Sequence, residues 1–470
     1  MSDLAATFAM GTICVLLLAL PGVGHGSTQE KPLRPVVEVE EDVYSHAPAD
    51  NGARPLWSYG SSCIARVGAD VFISGLETLT DAKPMNNVRW ELFHRSGKKW
   101  DVVAKGDGRT REPCPLAAVG DAGLYLSDNP TLIAPDMYKG PAKPQLWVFS
   151  ATEPTRAPEL IVPEWQGQPQ FTEHSYRSVA ADGATGELIL FQNVGDTHAV
   201  WTFRDGSGKW AAQGELKWPW GAEYPEPQAV RVCYPAVALK DRKVYFFGVS
   251  DIVEPYPEWR EYKREITGRK WDYDFRRLFF TWSDDITTGE FHDWVEVASR
   301  DATCGWMRAT DLWVAADGTV HLLWTDRALD ERLREKFFPE AKQSQALMYG
   351  VMREGALVTT RPLLISGEGL PSSETPGTGR FHVTGDGRLF VLFYVTGEDA
   401  EGNPAPENRM LEILPDGSST EAVRVDFAKP FSRWEMAGVR NGCAPSNVMD
   451  IYGETAQVKN TLRYARVRIE

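Results

Sequence analysis

One pattern recurs along this chain: an apolar strand, a turn containing Asp or Gly, then a second apolar strand. It reads CIARVGADVFISG from Cys63, CPLAAVGDAGLYLS from Cys114, SYRSVAADGATGELILF from Ser175 and CYPAVALKDRKVYFFG from Cys233. It returns as TDLWVAADGTVHLLW from Thr310 and GRFHVTGDGRLFVLFYV from Gly379, and a weaker copy, CAPSNVMDIYG from Cys443, has no clear turn. Each copy reads as a hairpin of two buried strands. Such units stack on one another to bury their faces, and seven of them over residues 55–470 give about 59 residues per unit. The expected fold is all-β, a seven-bladed β-propeller with six blades as the alternative. Composition agrees, since 17 Trp, 41 Gly and 31 Pro suit short strands and turns better than helix bundles.

The organisation follows. Residues 1–26 carry an apolar run, Ile13 to Leu20, then Pro21 and small residues, which reads as a signal peptide and predicts a secreted or periplasmic protein. Residues 27–54 read as an extended lead-in that could close the ring, and 55–470 as one propeller domain. Glu254–Phe280 is charged and aromatic, and Ala328–Met348 has helical i,i+4 spacing; both read as rim insertions. Cys14 lies in the leader. The other five cysteines are too few for a disulfide scaffold, and Cys63 with Cys114 is the best candidate bridge.

Lys plus Arg total 50 against 65 Asp plus Glu, a formal charge of −15, which argues against a nucleic-acid partner. No segment after the leader is apolar and long enough to span a membrane, and a monomer is expected. Counting back from the turn residues Asp70, Asp121, Asp182, Asp241, Asp317 and Asp386 places Ile64, Pro115, Tyr176, Tyr234, Asp311 and Arg380 at one level of the inner strands. His174, Arg177, Arg231, Trp306, Arg308 and His382 lie close by, and the seventh copy adds Arg440, Asn441 and Asn447. A concave mouth with convergent polar groups is the default site. The candidate catalytic residues are His174, Tyr234 and Tyr176. The candidate substrate-binding residues are Arg177, Arg231, Arg308, Asp311, Arg380 and Trp306. His, Tyr and Arg without paired carboxylates suit proton abstraction beside a carboxylate, as in β-elimination at a uronic acid. The partner expected is an acidic polysaccharide or oligosaccharide. No cofactor is required. A structural zinc or calcium is the minority expectation, with His292, Cys304 and His321 as its candidate ligands.

A second signature follows several hairpins. Arg95-SGKKW, Asp205-GSGKW and Ser283-DDITTGEFHDW each place a turn before Trp100, Trp210 and Trp294. It looks like a degenerate Asp-box, with Trp filling the gap between blades. The segments His174-SYRSVAADGATGEL, Arg231-VCYPAVAL and Asp311-LWVAADGTVHLLW resemble the seven-bladed propeller polysaccharide lyases, the ulvan lyase group, and the wider set of BNR-repeat propellers. The resemblance implies a lyase-like enzyme with a His and a Tyr as base and acid, matched here by His174 and Tyr234, and an Arg on the uronate carboxylate. The family's second His falls near Gln192 or Asn193 here, and its Arg near Ser250. A sialidase-like hydrolase is the second enzyme class, with Arg177, Arg308 and Arg380 on a substrate carboxylate. A non-catalytic glycan-binding propeller is the third class.

Overall fold

The computed structural model describes residues 33–57, 60–174, 176–269 and 272–470. The leader expected over residues 1–26, and Ser175 of the third hairpin, lie outside the described residues. Seven four-stranded antiparallel sheets follow one another along the chain. Their inner strands are Ile64–Val67, Leu116–Val119, Ser178–Asp182, Val232–Lys240, Trp306–Val314, Thr375–Val383 and Phe431–Met436. The first six blades are built consecutively. The seventh joins Phe431–Met436, Val448–Thr455 and Thr461–Ile469 to the N-terminal strand Pro35–Ser45, with Pro35 opposite Ile469 and Ser45 opposite Thr461. This is a seven-bladed β-propeller whose last sheet takes one strand from the start of the chain. That strand also docks on the first blade: Tyr44 stacks on Phe93 with ring centroids 5.0 Å apart, and Glu41 accepts from Arg95 and Trp100.

Inner strands are buried on both faces, which explains their near-continuous apolar runs. Tryptophans fill the seams between blades. Trp100 packs on Tyr464 of the seventh blade, Trp210 on the cluster holding Tyr125 and Leu146 of the second, and Trp294 donates Nε1 to Lys217 O of the third at 2.8 Å. The turn before Trp210 is tied by Asp205, whose Oδ1 accepts from the amides of Ser207 and Lys209 at 2.9 and 3.0 Å. A short carboxylate does this because it reaches backbone donors two to four residues on.

The seventh repeat differs from the sequence expectation. Its inner strand lies upstream of Cys443, and the long connection over residues 437–447 runs along the propeller axis. Asn441 donates Nδ2 to Ile64 O in the first blade at 2.8 Å, and its carbonyl accepts Ala118 N of the second at 2.8 Å. Arg440 O accepts Ala181 N of the third. The Arg440 guanidinium reaches Val237 O of the fourth at 3.2 Å and Asp311 Oδ1 of the fifth at 2.7 Å. Ser446 bonds Val383 and His382 of the sixth. One loop therefore touches all six other blades and occupies the channel. On the turn side it roofs a bowl of about 660 Å³.

The helix also sits elsewhere than expected. Residues 331–337 form only a 3-10 turn and one α turn, and the long helix is Pro257–Thr267 in the fourth blade's insertion. Pro at its start and Gly268 in the left-handed conformation after its end are the missed signals. The two insertions pack together through Trp259 on Phe338 and Tyr262 on Phe337, at 5.4 and 5.6 Å. Beneath them lies a buried ionic network. Arg276 holds Glu254 through both guanidinium Nη atoms at 2.8 and 2.9 Å and Asp301 at 2.6 Å, and Lys263 adds a bond to Glu254 at 2.8 Å. These cations hold the Glu254 carboxyl down at about 2 against the effect of burial. Asp274 is left out. Arg276 Nε is 3.3 Å away but its hydrogen bond goes to Asp301, and both Asp274 carboxyl oxygens lack a hydrogen-bond partner. Burial, helped by Glu254 and Asp301, pushes its carboxyl up to about 8. Between its unfolded value and about 8 the native state holds a proton that the unfolded chain has lost, so this group makes stability fall as pH rises through that window. Asp274→Asn removes that slope. Thermal melts should show the variant raised by roughly 1–3 kcal/mol at pH 8, with a smaller gain at pH 5. An equal effect at both pH values contradicts the assignment.

Cys63, Cys114, Cys233, Cys304 and Cys443 are all buried and none is in a disulfide, so the expected Cys63–Cys114 bridge is absent. Instead Cys114 Sγ donates to Asp128 and Cys443 Sγ accepts from Arg66 N. The three candidate metal ligands do not converge. His292 bonds Asp284 and stacks on Trp282, Cys304 lies against Arg276, and His321 bonds the Tyr349 hydroxyl. Among the described residues no group of three His, Cys, Asp or Glu could hold a metal.

Candidate functional site

The segments entering the first four inner strands all reach the same face of the propeller, and their last residues meet there. Trp57, Glu112, Tyr176, Arg177 and Tyr234, with three prolines, line a narrow cleft. His174 stands at its edge. Its ring stacks on Trp57 at 5.2 Å and 12°, and meets the Tyr176 ring edge-on at 4.3 Å. Tyr176 and Tyr234 are perpendicular at 4.9 Å, and the Tyr234 hydroxyl donates to the Tyr176 hydroxyl at 3.3 Å.

The backbone is strained where these side chains leave it. Tyr176 has φ +38° and Tyr234 φ +50°. Non-glycine residues in this region cost of order 1–3 kcal/mol and persist only where surrounding structure enforces them. At Tyr234 the enforcement is visible. The ladder of its strand is irregular between Cys233 and Ala236, and Gly60 presses on the Pro235 carbonyl so closely that a Cβ at Gly60 would lie 1.8 Å from that oxygen. Glycine alone fits there.

Glu112 organises the His174 end. Its buried carboxylate takes the His174 Nδ1 bond at 2.9 Å. Burial alone would raise the Glu112 carboxyl, but the His174 bond and the nearby Arg177 and Arg111 hold it below the ordinary range. An ionised carboxylate only accepts, so Nδ1 carries a proton, and it is Nε2 that can exchange one with a substrate. The Tyr176 hydroxyl is pushed well up by burial, by Asp251 and by Tyr234, which keeps it protonated. Arg231 lies over the Tyr176 ring at 5.4 Å, bonds Asp196 at 2.7 Å and sits 3.4 Å from Asp251. Burial works against its charge, but Cys233, Asp251, Tyr176 and Asp196 outweigh it and raise its pKa. Arg177 donates to Pro113 O, yet its buried Nε and Nη1 have no hydrogen-bond partner.

The structure thus brings together His174, Tyr176, Arg177, Arg231 and Tyr234. It places the others elsewhere. Trp306 and Arg308 begin the fifth inner strand, in register with Arg327 and Thr325, and do not line the cleft. Asp311 and Arg380 lie deeper. In each of the first six inner hairpins the fourth ladder pair from the turn holds Ile64, Leu116, Val179, Val237, Asp311 and Arg380. Tyr176 and Tyr234 are three residues further out, about 10 Å along a strand. The shared level expected for Tyr, Tyr, Asp and Arg is therefore incorrect. Its anchors were not equivalent: Asp70 and Asp182 sit in the last ladder pair, whereas Asp121, Asp241, Asp317 and Asp386 sit in the turns. Asp311 is buried, taking Arg440 and the Phe381 amide. Arg380 lines a small axial cavity with Asp311, His382, Glu435 and Arg440. The three arginines considered for a sialidase-like site are thus not gathered in the cleft.

Trp57, Glu112 and Asp251 are the residues sequence reasoning missed. Glu112 stands two residues before Cys114, and counting back past the start of each hairpin would have reached it. At the positions matched to the lyase group's second His and its Arg, Gln192 bonds Asn129, Asn193 bonds Cys233, and Ser250 is buried, accepting from Arg276 N.

No protein-family model matches the chain, and no curated protein matches it. Among solved structures it is similar to a polysaccharide lyase, a PL25 ulvan lyase bound to -[GlcA(1-4)Rha3S]-, at 10% identity and a TM-score of 0.51, over 92% of this chain and 95% of that one. It is also similar to the polysaccharide lyase Uly1, at 11% identity and a TM-score of 0.50, over 93% and 99%. At such identities the likeness is one of fold, and with the seven sheets it makes this chain a seven-bladed β-propeller of the architecture those two lyases share.

Proposed function

We propose that this propeller is an exported, monomeric enzyme that binds an acidic polysaccharide across the mouth of its first four blades and cleaves it by β-elimination at a uronic acid. The observation that carries the reading is Arg177. A buried guanidinium with two unpartnered nitrogens lines a cleft between a His and a Tyr pair. Leaving such donors unsatisfied costs about 1–3 kcal/mol, and a substrate carboxylate supplies a charged acceptor for them. With the carboxylate on Arg177, the acidic C5 proton of the sugar faces His174. His174 Nε2 takes that proton, the C–H electrons form the C4=C5 bond, and the C4–O glycosidic bond breaks. The Tyr176 hydroxyl gives its proton to the departing oxygen, and His174 returns one to Tyr176 across their edge-on contact. Tyr234 orients the Tyr176 hydroxyl through its hydrogen bond. Arg177 offsets the charge that develops on the carboxylate. The fold likeness to two polysaccharide lyases, one bound to a GlcA-containing glycan, adds support.

Affinity electrophoresis in gels containing a polyuronate, or the same polymer after reduction of its carboxyls, tests this reading without altering the protein. Retardation should be at least about tenfold stronger in the native polymer, a difference of roughly 1.4 kcal/mol. Equal retardation in both overturns the role given to Arg177.

A further inference from the structure

Exposed aromatic side chains are few among the described residues: Tyr138, Trp220 and Tyr273 are the ones that stand well into solvent. One of them, Tyr273, packs on Arg231. Arg231 lies between the Tyr176 ring at 5.4 Å and the Tyr273 ring at 5.8 Å, so aromatic surface continues from the cleft through the guanidinium to the outer face. Tyr273 is 45% exposed and is held by a short ladder opposite Val253. Trp220 is 64% exposed. It sits on a second short ladder, opposite Ala229, two residues before Arg231. That ladder is braced from below, because Gly221 lies on the buried Tyr224 ring and Tyr224 bonds Arg277. Neither aromatic is a loosely placed surface residue. Both are mounted on paired backbone, Tyr273 against Arg231 and Trp220 across from a residue two before it. Arg231 bonds the Asp251 carbonyl at 3.0 Å and lies 3.4 Å from its buried carboxylate, while its other carboxylate partner, Asp196, has a side chain 84% exposed.

We infer that Trp220 and Tyr273 form an outer sugar subsite, which rests on the function proposed above and extends the binding surface to longer stretches of an acidic polymer. The apolar C–H face of a pyranose covers an aromatic ring, while its polar edge remains in water and near Arg231. The occupant is a sugar of the same chain beyond the one held at Arg177.

The test compares a hexameric and a dimeric oligouronate by calorimetry, and a polyuronate by affinity electrophoresis, for the full chain and for Trp220→Ala/Tyr273→Ala. The hexamer should bind about tenfold or more tightly than the dimer to the parent protein, a gap of the size two stacked rings provide. In the double variant that ratio should fall towards one, with an unchanged melting temperature. An unchanged ratio in a properly folded variant overturns the subsite and leaves the function proposal standing. A variant that alters the oligomeric state but not the ratio also overturns it, by assigning the patch to a second copy of the chain. Absence of polyuronate retention by the parent protein overturns both proposals together.

Discussion

Tyr176→Phe is expected to lower the rate of uronate elimination by about 10²–10⁴-fold while changing the melting temperature little. The substitution removes one hydroxyl and no ring contact, so His174, Trp57 and Tyr234 keep their packing. The lost proton is the one assigned to the leaving oxygen. His174→Ala should cost as much in rate, but it also removes the His174 bond to the buried Glu112 carboxylate and should lower stability. His174→Ala combined with Glu112→Gln should recover the stability and not the rate. Initial rates on a polyuronate with parallel thermal melts separate these effects. A Tyr176→Phe protein that retains more than a tenth of the parent rate moves the acid elsewhere.

Arg440→Ala carries the second large expectation, and it concerns the fold. Arg440 is the charged centre of the loop that fills the channel, and its guanidinium bonds Asp311, Gly60 and Val237. Removing one member of a buried ion pair leaves the other uncompensated, at a cost of about 3–5 kcal/mol. Here Asp311 would keep only the Leu312 and Phe381 amides. Asp311→Asn on the Arg440→Ala background removes the stranded charge and should recover part of the loss. Denaturant unfolding gives both values. If Arg440→Ala costs less than about 1 kcal/mol, the axial loop is not what ties the blades together.

The blades were legible because the hairpin turn and the apolar runs repeat locally. Asp70 to Ser74, or Lys243 to Gly248, announce their strands within a few residues. The axial loop was not legible, because its contacts join residues hundreds of positions apart and Cys443 resembles the start of another hairpin. The candidate site was legible in part. His174, Tyr176, Arg177, Arg231 and Tyr234 stand immediately before or within their inner strands, where position along the repeat predicts position in space. Asp311 and Arg380 were misplaced because turns of different length shift the count by up to three residues, and a strand converts each residue into about 3.3 Å of depth. Glu112 and Asp251 were invisible because nothing local marks a carboxylate as buried. Burial comes from neighbouring blades, and with it the raised Tyr176 and the ionised Glu112.

The central claim is elimination at a uronic acid, and the new C4=C5 bond of the product has an ultraviolet absorbance that no hydrolysis product shares. Incubating residues 27–470 with a panel of polyuronates and following that absorbance tests it most directly. The account predicts a steady rise on at least one polymer, absent from its carboxyl-reduced form and reduced at least a hundredfold in Tyr176→Phe. Release of reducing sugar without that absorbance, or no absorbance on any polyuronate that the protein binds, contradicts it.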